Sequence, residues 1–253
     1  MLRVRIIPAL LLKGGSLVKT VRFKNPGYIG DPINTVRIFN ELEVDELTFL
    51  DISATPEAKE PDFKLLREIA DECFMPLSYG GGIQNFETAA KIFDIGFEKV
   101  VLNNITHQSP ELITQIANHY GSQAVVVSID VKKSLFGRYE VVTKSATYST
   151  GKKAVEWAKE VENLGAGEIL LTSVDREGTW TGFDIELTQR VADSVNIPVI
   201  AHGGAGSVEH IGQVVREGKA SAVALGSMVV YQKKGMGVLV NFPDKTELEK
   251  VLL

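Results

Sequence analysis

Two glycine runs stand where an anion could be held. Gly80-Gly81-Gly82-Ile83 and Gly203-Gly204-Ala205-Gly206 each follow a short apolar, β-rich run and precede a stretch of helical periodicity. Glycine lets the backbone come close to a ligand, and the first turn of the following helix offers free N–H groups at the positive end of its dipole. Tight strand-to-helix turns need glycine anyway, so one such run would say little. Two at corresponding places, with Asn103-Asn104 and Gly226-Ser227 after two further apolar runs, point to two anionic groups on opposite sides of one opening. An elongated bisphosphorylated small molecule fits that placement. Asp130 closes the apolar run Ala124–Ile129, where a carboxylate can exchange protons or orient an ammonium-like centre. Capping a helix is its plain alternative. Asp51 ends another run in the same way. Thr172 ends a third, and Asp175, Glu177 and Gly178 lie in the segment after it. Lys19, placed in the first loop, can reach over a bound ligand or simply be solvated. His202, just before Gly203, can donate to a phosphate or serve only as packing.

The elements that must position these groups alternate along the chain. Strands are expected at Val4–Leu10, Glu46–Asp51, Pro76–Ser78, Lys99–Leu102, Ala124–Ile129, Glu168–Thr172, Pro198–Ala201 and Ala222–Leu225. Amphipathic helical segments fall at Asp31–Leu42, Pro61–Cys73, Phe86–Ile95, Pro110–His119, Gly151–Asn163, Asp184–Ser194 and Val208–Glu217. Near-continuous apolar strands joined by helical crossovers mean a parallel sheet covered by helices. Eight of them in 253 residues fit an α/β fold of one kind, a closed (β/α)8 TIM barrel. No Pro/Ser-rich linker divides residues 1–253, so a single domain is expected. An internal repeat supports two half-barrels: Met75–Gly82 resembles Ile197–Gly204, and Val44–Asp51 resembles Ala166–Ser173, both at an offset of about 122 residues. A similar shift sets Lys99–Asn103 beside Ala222–Gly226.

Composition narrows the partners. Lys+Arg 27 against Asp+Glu 32 leaves a net charge of −5, which disfavours nucleic acid as a ligand. The apolar runs Ala9–Leu12 and Ala124–Ile129 are too short to span a bilayer, and the first strand begins too early for a signal peptide. One cysteine, Cys73, fits a reducing cytoplasm. His107, His119, His202 and His210 lack paired metal-ligand spacing, and no cofactor is implied. Arg5, Glu46, Lys99 and Glu168 each stand at the start of a strand. Period-2 alternation puts Arg5 on the side of Leu11, Lys99 on that of Asn103, and Glu168 on that of Thr172. If those later positions face inward, so do the charges, and they would plug the barrel in mutual pairs. Surface salt bridges are the simpler reading of spacing alone.

At this point the sequence resembles the cyclase subunit of imidazole glycerol phosphate synthase (HisF). The likeness is carried by Arg5-Ile6-Ile7-Pro8, Asp45–Ile52, Gly80–Ile83, Ile113–Ala117, Gly121–Val127, Gly165–Ser173 and Gly203–Gly206. It implies a heterodimer in which a HisH-like glutaminase docks on the bottom of the barrel and passes ammonia through its centre. The ammonia and a bisphosphorylated ribulosyl-formimino nucleotide then give imidazole glycerol phosphate and an aminoimidazole carboxamide ribotide. It also implies that Arg5, Glu46, Lys99 and Glu168 form the ammonia gate, and that Glu98 sits where the family contacts its glutaminase. Asp130 matches one of two catalytic aspartates. The other position reads Leu11, within Leu10-Leu11-Leu12, and leucine cannot move a proton. Losing one member of such a pair removes a factor of order 10²–10⁴ in rate. His202 stands where the family usually has serine, Glu177 where it usually has aspartate, and Tyr231–Asp244 departs from the usual ending. This pattern resembles a divergent branch tied to surface-polysaccharide sugars, in which a separate amidotransferase converts an acetamido to an acetamidino group with the ammonia supplied. Three alternatives stay open: the histidine-pathway cyclase itself, a silent scaffold for a glutaminase, and the related sugar-phosphate isomerase.

Overall fold

The computed structural model describes residues 4–134 and 137–252. Eight parallel strands close on one another: β1 (Arg5–Lys13), β4 (Leu47–Asp51), β5 (Leu77–Gly80), β6 (Lys99–Leu102), β7 (Val125–Lys133), β10 (Glu168–Ser173), β11 (Val199–His202) and β12 (Ala222–Leu225), with β12 pairing back to β1. The expected TIM barrel is the fold. Alternation sorts each strand into two layers. Ile6, Leu10 and Leu12 of β1 pack outward against the helices, while Ile7 and Ala9 join Val101, Val126, Leu170, Ile200, Ala222 and Ala224 inside the barrel.

The crossover helices begin where the sequence offers caps. In α1 (Pro32–Glu41) Asp31 accepts from the Asn34 N–H at 2.9 Å, and in α2 (Phe63–Glu72) Asp62 accepts from the Leu65 N–H at 3.1 Å. In α3 (Phe86–Ile95) Asn85 caps the start and Gly96, at φ 117°, turns the chain out of the helix. Among the described residues no helix is long and apolar enough to cross a membrane.

Two strands are longer than their sequence pattern indicates. β1 runs on to Lys13 and β7 to Lys133, and each continues into an antiparallel hairpin: β2 (Ser16–Val21) with β3 (Lys24–Gly30), and β8 (Tyr139–Thr143) with β9 (Tyr148–Lys153). Lys19 therefore lies on a strand, not in a loop. The cause of the first hairpin is local: Gly14 and Gly15 have φ values of 58° and 77°, the left-handed pair a two-residue turn requires. β1 and β7 are four strands apart around the barrel, so the half-barrel repeat extends to these projections. A further helix, α9 (Lys245–Leu252), packs against α7 (Val208–Arg216) and closes the described chain.

The glycines after β11 are demanded by the chain itself. Gly204 has a φ of 106°, and a Cβ there would stand 2.1 Å from the Gly182 carbonyl oxygen. Gly204→Ala should therefore destabilise by about 1–3 kcal/mol, the usual cost of overpacking. Chemical denaturation of the two proteins measures this; equal midpoints would show that the loop yields freely.

Candidate active site

The bottom of the barrel holds a closed charge ring. Arg5 Nη1 donates to Glu46 Oε2 at 2.6 Å and Nη2 to Glu168 Oε1 at 2.8 Å. Lys99 Nζ donates to the same two carboxylates, at 2.9 Å to Glu46 and 3.3 Å to Glu168. The side chains of Glu46, Glu168, Lys99 and Arg5 are 4%, 12%, 15% and 28% exposed, so the ring is a plug and not surface decoration. Arg5, Lys99 and Glu168 open their strands and Glu46 immediately precedes β4, all four on the lumen side. Beside it, Glu98 is exposed on the bottom face with Oε2 accepting from the Leu77 N–H at 2.6 Å.

Above the ring lies a narrow cavity lined by Ile7, Glu46, Thr48, Ser78, Val101, Val126, Leu170, Ile200 and Ala224. Its polar hydroxyls, Thr48 and Ser78, satisfy each other at 2.7 Å. The lumen is thus mostly apolar between two polar ends.

The upper end gathers most of the residues singled out for chemistry. Asp130 is buried and accepts from Asn103 Nδ2 at 2.7 Å and from Ser128 Oγ at 3.5 Å, and Thr172 adjoins it in register on the neighbouring strand. Thr172 Oγ1 is also 3.1 Å from His202 Nδ1. Lys19 is ion-paired to Glu177, both buried. Glu177 further accepts from Thr20 Oγ1 at 3.1 Å and the Phe23 N–H at 3.0 Å, which fastens the β2–β3 hairpin to the segment after β10. A small cavity opens here, lined by Lys19, Glu177, Gly178, His202, Gly203, Gly204, Ala205, Ala224, Gly226 and Ser227.

Other residues take different roles. Asp51 does not turn toward the cavity: its Oδ1 accepts from the Ser53 N–H and Oγ, each at 2.8 Å, and from the Ala54 N–H at 3.1 Å, ordering its own turn. Asp175 accepts from the Lys133 N–H at 2.8 Å. Asn104 opens a 3-10 turn over Asn104–His107. Gly81, Gly82, Gly178 and Gly203 are required by contacts within the chain, since a Cβ on each would fall 2.5–2.7 Å from a backbone oxygen of Asp51, Lys59, Thr20 or Ser173. Gly226 differs, because its Cβ would meet the Lys19 side chain at 2.8 Å. Leu11, the position at which the resemblance implies a second carboxylate, is a buried hydrocarbon on the lumen-facing side of β1. Sequence reasoning missed Ser128 and Thr20; the first was within reach, two residues before Asp130 on the same face of one strand.

The family model described as "Histidine biosynthesis protein" matches residues 5–235. A protein of Leptospira borgpetersenii named "Putative imidazole glycerol phosphate synthase subunit HisF" is 47% identical over 250 residues, 98% of each chain. One of Pseudomonas aeruginosa, named "Putative imidazole glycerol phosphate synthase subunit hisF2", is 48% identical over 249 residues, 98% of this chain and 99% of its own. An Alkaliphilus metalliredigens protein named "Imidazole glycerol phosphate synthase subunit HisF" is 43% identical over 233 residues, 92% of each chain.

Burial sets the proton chemistry of the mouth. It raises the Asp130 carboxyl from 3.8 to about 6 despite the Asn103, Thr172 and Ser128 hydrogen bonds, which act the other way. Burial, with Lys19, lowers His202 from 6.5 to about 4. Burial alone would raise Glu177 too, but Lys19, the Phe23 N–H and His202 hold it below the usual range. The signs oppose one another in stability. The raised Asp130 contributes stability that is full below about 3.8 and lost as pH rises through about 6. The depressed His202 contributes stability present above 6.5 and lost as pH falls through about 4, each contribution being about 3 kcal/mol. In His202→Asn only the Asp130 contribution remains, so between pH 7 and 4.5 the variant should gain up to about 3 kcal/mol relative to the parent. Unfolding in denaturant at both pH values tests this; identical pH dependence would mean that the imidazole is not desolvated.

Proposed function

The chain belongs to the histidine biosynthesis protein family, and from that premise we propose that it is the synthase subunit of a glutamine-dependent pair. In this reading a glutaminase docks on the bottom face around Glu98, ammonia enters between Arg5, Glu46, Lys99 and Glu168, crosses the lumen, and reacts with a phosphorylated acceptor at the mouth. The observation that carries the reading is the stack of a paired charge ring, a mostly apolar lumen and a proton-handling mouth along one axis. A neutral molecule as small as ammonia can pass a lumen of that kind, whereas the desolvation cost of an ammonium ion opposes its entry. The ring explains how the passage stays shut at rest: parting it exposes two carboxylates that are otherwise fully paired. At the mouth, Lys19, His202, Gly203, Gly204, Gly226 and Ser227 are the groups available to an anionic ligand, with Gly81, Gly82 and Asn103 on the other rim.

One feature favours a particular acceptor. With Leu11 in place of a carboxylate, the two-aspartate chemistry of imidazole formation lacks a partner for Asp130. We therefore favour an acceptor other than the histidine-pathway nucleotide, such as an acetamido sugar whose acetamidino product a separate amidotransferase completes. The cyclase of histidine biosynthesis is the alternative, and it agrees with the names of the relatives.

Two measurements bear on this. Truncation by Lys99→Ala leaves Glu46 and Glu168 sharing Arg5 alone. It should cost stability toward the lower end of the roughly 3–5 kcal/mol seen for broken buried pairs, because Arg5 remains partly solvated. It should also raise the glutamate released per aminated product with the glutaminase present, while free ammonium still supports amination; an unchanged ratio removes the conduit. With ammonium chloride and the ribulosyl-formimino nucleotide, wild type should be nearly inactive, and Leu11→Asp should restore part of the 10²–10⁴ that general acid–base catalysis contributes. A wild-type rate like that of an ordinary cyclase subunit would identify the chain as the histidine-pathway enzyme.

A further inference from the structure

Neither the ring nor the glycines account for the imidazole of His202. Ile200 and His202 share the lumen side of β11, so the imidazole stands directly above the apolar layer. Register places Thr172 between Asp130 on one side and His202 on the other. Thr172 Oγ1 is 3.1 Å from His202 Nδ1 and adjoins the Asp130 carboxylate on the neighbouring strand, which when ionised can only accept, an arrangement that directs the single Thr172 proton toward Asp130. Thr172 Oγ1 must then accept from His202 Nδ1–H, which leaves the Nε2 lone pair free. Nε2 lies 3.8 Å from the place a Cβ on Gly226 would take, a place the Lys19 side chain already crowds at 2.8 Å, and all three residues line the mouth cavity. Ala224 lines both the lumen and the mouth cavity, so the two adjoin at the foot of this arrangement.

We propose that His202 is a catalytic proton-transfer residue for amination, its Nε2 taking the proton that ammonia sheds as it leaves the lumen past Ala224 and bonds to a carbonyl carbon held in the mouth cavity that His202, Gly203 and Gly226 line. The inference rests on the conduit reading above. In the step itself, the ammonia lone pair forms the C–N bond while the carbonyl π pair moves onto oxygen, leaving ammonium and alkoxide on one carbon. Nε2 accepts a proton from nitrogen and becomes imidazolium. It then returns that proton to the alkoxide, giving a neutral carbinolamine and the starting imidazole, so no further reactant is consumed. Thr172 and Asp130 are positioning residues: they fix the acceptor tautomer and favour the transient cation. Lys19 and Glu177 are the other charged groups facing the imidazole, the first opposing its protonation and the second favouring it. Because the imidazole is neutral well below pH 7, the acceptor form is the resting form.

The test has a spectroscopic arm and a kinetic one, both on the full chain. In ¹⁵N-histidine NMR, His202 should show a neutral Nδ1–H tautomer at pH 7 that becomes a tautomer mixture in Thr172→Val. An Nε2–H tautomer in wild type, or no change in Thr172→Val, overturns the proposal. In the kinetic arm, Leu11→Asp protein is given ammonium chloride and the ribulosyl-formimino nucleotide. Adding His202→Asn keeps a donor for Thr172 but removes Nε2. It should lower kcat about 10²-fold or more, with KM little changed and partial rescue by added imidazole. A kcat within twofold overturns the proposal. If Leu11→Asp protein does not aminate this nucleotide at all, the choice of acceptor fails instead, and the tautomer still decides the role of His202.

Discussion

Strand alternation commits every second residue of the barrel to a space that water reaches only at the ends, and this constraint governs the rest. At the bottom it turns Arg5, Glu46, Lys99 and Glu168 inward, where an unpaired charge would be costly and two cations with two carboxylates satisfy one another. Such a ring contributes little net stability, since desolvation offsets most of its attraction. In the proposed reading its consequence is control of access, because from the bottom face the lumen is reached by separating the pairs.

At the mouth the same constraint meets a different mixture. Asp130, Thr172 and His202 are inward residues of three neighbouring strands, so their hydrogen bonds follow from register. Burial then raises the carboxyl to about 6 and keeps the imidazole uncharged, so that at pH 7 both groups rest in their proton-accepting forms. Lys19 reaches this site because the hairpin after β1 brings it there, and Glu177 holds it by a buried ion pair. The hairpin is as much a part of the site as the barrel strands are.

The barrel was readable because its strands are apolar on both faces and its helices are amphipathic and capped, features that survive in one dimension. The ring was readable only as four charges at strand starts; whether they paired depended on closure across the barrel, which spacing cannot express. The β2–β3 and β8–β9 hairpins escaped because polar residues interrupt their alternation, although Gly14-Gly15 marked the first turn. Asp51 was misplaced for a related reason: ending a strand is not the same as facing its lumen, and Asp51 is one residue out of phase with the inward Leu50. The glycine runs were correctly located at the rim, yet most are needed by loop-on-loop packing as well as being open to a ligand.

The central claim, that ammonia travels inside the barrel, is tested most directly by isotope competition. The complex with its glutaminase is supplied with glutamine carrying ¹⁵N in its amide, in a buffer holding excess ¹⁴N ammonium, and the aminated product is analysed by mass. A sheltered path predicts product that keeps the ¹⁵N label. Product whose isotope ratio matches the bulk ammonium would mean that ammonia reaches the mouth through solvent, and would contradict the account.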